Sequence, residues 1–121
     1  MGNSPHTIYI AGKVTGLPLN EVHVKFTKAA QDIQALGHNA LNPYAFVLDA
    51  WPLNDINSGL VSWHAIMRLC IAKLATATGV LVLPCWPSSR GATLERFIAG
   101  SLGIPIYNSL AQLQQGLQQP L

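Results

Sequence analysis

The sequence predicts an α/β fold: a doubly wound, flavodoxin-like or Rossmann-like parallel sheet of four to five strands, formed as a single domain over residues 1–121. Three observations predict it. An amphipathic helical stretch followed by a glycine and a short β-prone run occurs three times in succession. A further β-prone run, Thr7-Ile-Tyr-Ile-Ala11, precedes the first of them, so the order reads β-α-β-α-β-α-β. Val80-Leu-Val-Leu83 is continuously apolar, as suits a strand covered on both faces of a parallel sheet. Alternating elements joined by right-handed crossovers produce a sheet with helices on both sides.

Taken in order, Val22, Phe26, Ala29, Ala30, Ile33 and Leu36 fall three or four apart and predict a helix over Phe26 to Leu36, stopped by Gly37 before the strand His38-Asn-Ala-Leu41. The second unit runs from Val61 to Ala77, with Ile66, Leu69, Cys70, Lys73, Leu74 and Ala77 largely three or four apart, then Gly79 and the apolar strand. The third is Thr93 to Leu102, then Gly103 and Ile104-Pro-Ile-Tyr107. A glycine just past a helix takes the left-handed conformation at little cost, so Gly37, Gly79 and Gly103 each read as a helix stop. Ser109 and Gln112 stand at capping-box spacing before a final helix of about ten residues. Asn42 to Asn57, punctuated by Asn-Pro, Trp-Pro and Asn-Asp, reads as a long loop of the functional or mobile kind.

Composition narrows the classes of function. Half of the residues are hydrophobic and only 10% are charged, which leaves little charged surface and points to a homodimer or larger homo-oligomer. The net charge of +2 is spread along the chain with no Lys/Arg block, so no polynucleotide partner is expected. No apolar run reaches the roughly 18 residues that would span a membrane, so none is expected as a partner. Cys70 and Cys85 form no Cys-x-x-Cys pair, which makes reduced thiols and a cytoplasmic setting the default. His6, His23, His38 and His64 lack metal-ligand spacing, and neither a metal nor a cofactor is expected.

Ligands of doubly wound sheets sit outside the carboxyl ends of the strands, at the switch point of the strand order. Three loops reach that edge: Gly12-Lys-Val-Thr-Gly16, Asn42-Pro43 onward, and Cys85 to Gly91. Ser88-Ser-Arg-Gly91 leads into a helix, so two hydroxyls, a guanidinium and backbone N–H groups gather at the positive end of a helix dipole. That suits a phosphate, or equally a serine cap with an incidental arginine. In the first loop, Gly12 and Gly16 flank Lys13 and Thr15 and let backbone pass close to a ligand, without the spacing of a Walker A motif. Glu95, about one turn into the third helix, either faces the ligand or complements the helix dipole.

The segments IYIAGKVTGLP, LGHNALNP, MRLCIAKL, VLVLPCWPSSRGATLE and GSLGIPIY, in this order from Ile8 to Tyr107, resemble a family of small phage and bacterial proteins with the nucleoside 2-deoxyribosyltransferase fold. In motif order the chain is also similar to the 2'-deoxynucleoside 5'-phosphate N-hydrolases, whose Ser-x-Gly-x-x-x-Glu is matched here by Ser89, Gly91 and Glu95. The resemblance implies a nucleophilic Glu95, a phosphate-binding Ser89, and nucleotide contacts from Tyr9, Gly12 and Thr15. It also implies a symmetric assembly in which a residue near the last strand, Asn108 or Ser109, completes the neighbour's pocket. Lys13, Ser88, Arg90 and Gly91 complete the candidate ligand set.

Breaking an N-glycosidic bond requires one carboxylate at the sugar carbon and an acid for the departing base. In the family resembled, the second carboxylate lies in a Met-Arg-x-Asp-like run and another aspartate opens the third strand. Here those places read Met67-Arg-Leu-Cys70 and Thr78-Gly79, and both aspartates are absent. Asp49 and Asp55 in the Asn42 to Asn57 segment read as turn-formers before they read as replacements. The expectation is therefore a protein that binds a nucleotide or an ADP-ribose-type signal with impaired catalysis, as a sponge or sensor. The alternative is an active nucleotide N-glycoside hydrolase or deoxyribosyltransferase using Glu95.

Overall fold

The computed structural model describes residues 5–14, 17–84 and 86–118. Strand β1 (Thr7–Ala11) is followed by α1 (Leu19–Ala35), β2 (Asn39–Leu41), α2 (Pro43–Ala50), α3 (Leu53–Asn57), α4 (Trp63–Leu74), β3 (Gly79–Val82), α5 (Arg90–Ser101), β4 (Ile106–Tyr107) and α6 (Leu110–Gln118), with a 3-10 turn at Trp86–Ser88 before α5. The four strands lie in the order β2-β1-β3-β4 and every pairing is parallel. The register sets Tyr9 against Leu41 on one side and Val80 on the other, and Leu81 against Tyr107. The predicted doubly wound architecture, with β3 inside the sheet, is what the chain adopts.

Alternation along β1 and β3 builds two cores. Ile8, Ile10, Leu81 and Leu83 meet Val22, Phe26 and Ile33 of α1 and Leu113 of α6. Tyr9, Ala11, Val80 and Val82 face the other way, against Cys70 and Leu74 of α4 and Ala92 and Ala99 of α5. Both faces of the inner strands are covered, which is why the β3 residues are all buried. From β1 the chain winds through α1 to β2 on one side, then crosses back to β3 on the other. The switch point therefore lies at the carboxyl ends of β1 and β3.

Three expectations are corrected. Asn42 to Asn57 is not a long loop, because the Asn42 side chain accepts a hydrogen bond from Tyr44 N at 3.0 Å and Pro43 starts α2, while Pro52 precedes α3. The punctuation that reads as a loop is that of two short helix starts. Gly79 does not stop a helix: α4 ends at Leu74, with positive φ confined to Gly37, Gly59 and Gly103 among the described residues. Gly79 opens β3 instead, where a Cβ would meet Ile8 and the Tyr107 ring at 3.1 Å. Finally α5 begins at Arg90 rather than Thr93, since Ser89 caps it by accepting from Ala92 N at 3.1 Å. Arg90 and Gly91 are thus helical residues rather than loop.

Candidate functional site

A cavity of about 480 Å³ opens at the switch point. Its floor comes from the end of β1 (Ile10, Gly12), one wall from α1 (Val22, Phe26) and the other from α4 and α5 (Met67, Cys70, Ala92, Glu95). The two helices where a loop was expected supply a further wall: Tyr44, Val47 and Leu48 of α2, and Leu53, Ile56 and Asn57 of α3. A βαβ crossover needs only one helix, and α4 already provides it, so α2 and α3 are additions to the crossover whose side chains line the cavity.

Glu95 is the one buried charged or polar residue among those described, at 5% exposure. Its position in the second turn of α5 points it back toward the strands. There the Tyr9 hydroxyl donates to its Oε2 and also reaches the Cys70 thiol. Burial raises the Glu95 carboxyl to about 7, against the smaller lowering effect of the Tyr9 hydrogen bond. Burial, then the nearby Glu95, pushes the Cys70 thiol up to about 12, again partly offset by Tyr9. Burial, followed by Glu95 and Cys70, likewise raises Tyr9 well above its ordinary value. Near neutral pH the cluster therefore contains a neutral phenol, a neutral thiol and a carboxyl near its midpoint.

Among the predicted site residues, Gly12, Ser89, Gly91 and Glu95 line the cavity. Gly12 is there for space, since a Cβ would come within 2.8 Å of Leu83 Cδ1 and 3.1 Å of its Cβ. Gly91 is similarly close to the Met67 sulfur, at 3.3 Å from a would-be Cβ. Tyr9 is fully buried behind Glu95 and touches the cavity through it. Lys13 lies between the wall residues Gly12 and Val14, and its carbonyl accepts from Lys25 Nζ at 2.8 Å. Ser88 is exposed in the 3-10 turn, and Arg90 is exposed with its guanidinium over the Trp63 ring. Asn108 is exposed beyond β4, where its N–H donates to Gln112 Oε1 at 2.9 Å, away from the cavity wall. Thr15 lies outside the described residues, as does Cys85.

The two departures at Cys70 and Thr78 differ in position. Cys70 is in the cavity wall beside Glu95. Thr78 is at the opposite, amino-terminal edge of the sheet, its N–H donating to Thr7 O at 2.8 Å and its Oγ1 accepting from Thr7 N at 3.1 Å. Asp49 is exposed on α2, and neither it nor Asp55 lines the cavity. No group of three or more His, Cys, Asp or Glu residues that could hold a metal occurs among the described residues. None of their helices is long and apolar enough to cross a membrane. Sequence reasoning missed the aliphatic wall of α2 and α3 and the aromatic residues Tyr44 and Trp63. The capping pattern Asn42-Pro43 was the signal that could have found the α2 part of that wall, including Tyr44.

Fold and site together define a parallel α/β domain with a ligand-sized cavity at the switch point and one carboxyl group buried in its wall. The chain belongs to the family described as Domain of unknown function (DUF4406), which matches residues 6–108. No match was found among curated proteins or among solved structures.

Proposed function

We propose that the protein holds a nucleotide, or an ADP-ribose-type nucleotide signal, in a deoxyribosyltransferase-like pocket and turns it over poorly, acting in the cytoplasm as a homo-oligomeric sponge or sensor of the kind a phage would encode. The observation that carries this reading is the pairing of Glu95 with Cys70 in the cavity wall. Glu95 is the one carboxyl group lining the cavity among the described residues. The group beside it is a thiol raised to about 12, which holds its proton too tightly to serve as a general acid at neutral pH. A carboxyl near 7 can accept or donate a hydrogen bond to a sugar hydroxyl, but it cannot assist both the sugar carbon and the leaving base. Ser89, Gly91 and the start of α5 offer donors to one phosphate at the same cavity.

The test is to denature freshly purified protein, identify released nucleotides by mass spectrometry, and incubate native protein with the nucleotide found. Little or no free base should appear. Cys70→Asp, which places a second carboxyl beside Glu95, should raise base release, by about 10²–10⁴-fold if it assumes the acid role. Rapid base release by the unmodified protein, abolished in Glu95→Gln, would establish the alternative: an active N-glycoside hydrolase or deoxyribosyltransferase with Glu95 as nucleophile.

A further inference from the structure

Trp63 and Arg90 are the first residues of α4 and α5, and the Arg90 guanidinium carbon lies 3.8 Å from the centroid of the Trp63 ring. That distance is face contact between a planar cation and an indole, the closest of the cation–ring pairs in the described chain. Trp63 lines the cavity, as do Ser89 and Gly91 on either side of Arg90 in the chain, while Arg90 itself is exposed. The stack therefore seats a cation on the rim. It does so where one is needed, because no Lys, Arg or His side chain lines the cavity among the described residues.

We propose that Trp63 is a positioning residue for phosphate recognition: by holding the Arg90 guanidinium against its ring at the cavity rim, it makes the pocket select a nucleoside 5'-monophosphate over the uncharged nucleoside. This rests on the nucleotide-binding reading above. A guanidinium carried 3.8 Å above a ring has five N–H donors spread around its edge, and they cannot all point at that ring. The same contact that fixes the head group thus leaves N–H donors for an oxyanion. An exposed arginine without such a contact samples many rotamers and loses that freedom on binding. On the Trp63 ring much of the ordering is already done before the phosphate arrives.

The experiment measures dissociation constants of 2'-deoxyadenosine 5'-monophosphate and 2'-deoxyadenosine by calorimetry, for the wild type, Trp63→Leu, Trp63→Phe, Arg90→Gln and the double variant Trp63→Leu/Arg90→Gln. Arg90→Gln and Trp63→Leu should each lower the preference for the monophosphate by roughly tenfold. The double variant should lower it no further than the larger single effect, and Trp63→Phe should keep most of it, since the ring face remains. Equal weakening of both ligands in Trp63→Leu would make Trp63 a wall residue only and overturn the proposal.

A second readout is independent of any nucleoside. The Nε–Hε resonance of Arg90, assigned by its loss in Arg90→Gln, should carry a ring-current shift that disappears in Trp63→Leu, and should move when inorganic phosphate is added. If phosphate moves it and neither nucleoside ligand binds, the reading of the cavity as a deoxyadenosine nucleotide site fails while phosphate recognition stands. If the monophosphate binds and phosphate leaves the resonance unmoved, the positioning role fails and the nucleotide reading survives.

Discussion

Glu95 meets two demands that conflict: it is enclosed by the core, yet it is the polar centre of the cavity wall. Enclosure favours its protonated form, and the Tyr9 hydroxyl favours the ionised one by donating to it. Tyr9→Phe should therefore raise the Glu95 carboxyl above its present value near 7, as followed by carboxyl carbon NMR. It should also destabilise the protein by about 1–3 kcal/mol in urea unfolding, because a buried acceptor loses its partner. An unmoved carboxyl resonance would show that Tyr9 contributes packing alone. At this scale the sequence was legible where a motif carried the chemistry. The Ser89, Gly91 and Glu95 spacing led to residues that share the cavity. Arg90 was legible as a cation near that cavity, but its partner Trp63 stands 27 positions earlier in the chain (90 − 63), and no local pattern links the two.

At the scale of elements, helices with a polar outer face could be read from their periodicity and those without one could not. α1 shows a clear apolar stripe because one side is solvated, with Val22, Phe26, Ala29, Ala30 and Ile33 buried. α2, Pro-Tyr-Ala-Phe-Val-Leu-Asp-Ala, is apolar around much of its circumference because it contacts both α1 and α4, so periodicity has nothing to report. Its identity rests on the Asn42 cap and on Pro43 at its first position, where the missing N–H costs nothing. Asn42→Ala should accordingly cost about 1 kcal/mol of stability. The loss should fall on the wall formed by Tyr44, Val47 and Leu48. Hydrogen exchange is the discriminating measurement. Amides of α2 should exchange faster in Asn42→Ala while those of β1 and β3 keep their protection, and uniform loss of protection would show that the cap is not a local device.

Across the whole molecule, the parallel sheet separates two titrating features to opposite edges. Glu95 belongs to the cavity at the carboxyl edge; at the amino edge His38 Nδ1 accepts from the His6 N–H at 2.9 Å, with the two rings edge to face at 5.2 Å. Only a neutral His38 can accept there, and burial, then the nearby His6, lowers it below its ordinary 6.5. Their effects on stability have opposite sign. Glu95 keeps in the fold a proton that the unfolded chain releases around 4.5, so its contribution is fully present below that pH and is lost as pH rises through about 7. That is worth about 3 kcal/mol across the window. His38 favours the fold above the unfolded value and loses that contribution as pH falls through its lowered folded value. Urea unfolding from pH 4.5 to 8 should therefore show a wild type that weakens from about pH 5 to pH 7 and changes little beyond. Glu95→Gln should remove that decline and expose a weakening on the acid side. Glu95→Gln/His38→Gln should be flatter than either single variant, since the amide at 38 can still accept from His6 and neither position titrates. If Glu95→Gln keeps the wild-type slope between pH 5 and 7, the raised carboxyl is not a property of the folded protein. The argument from its protonation to the chemistry of the cavity then fails with it.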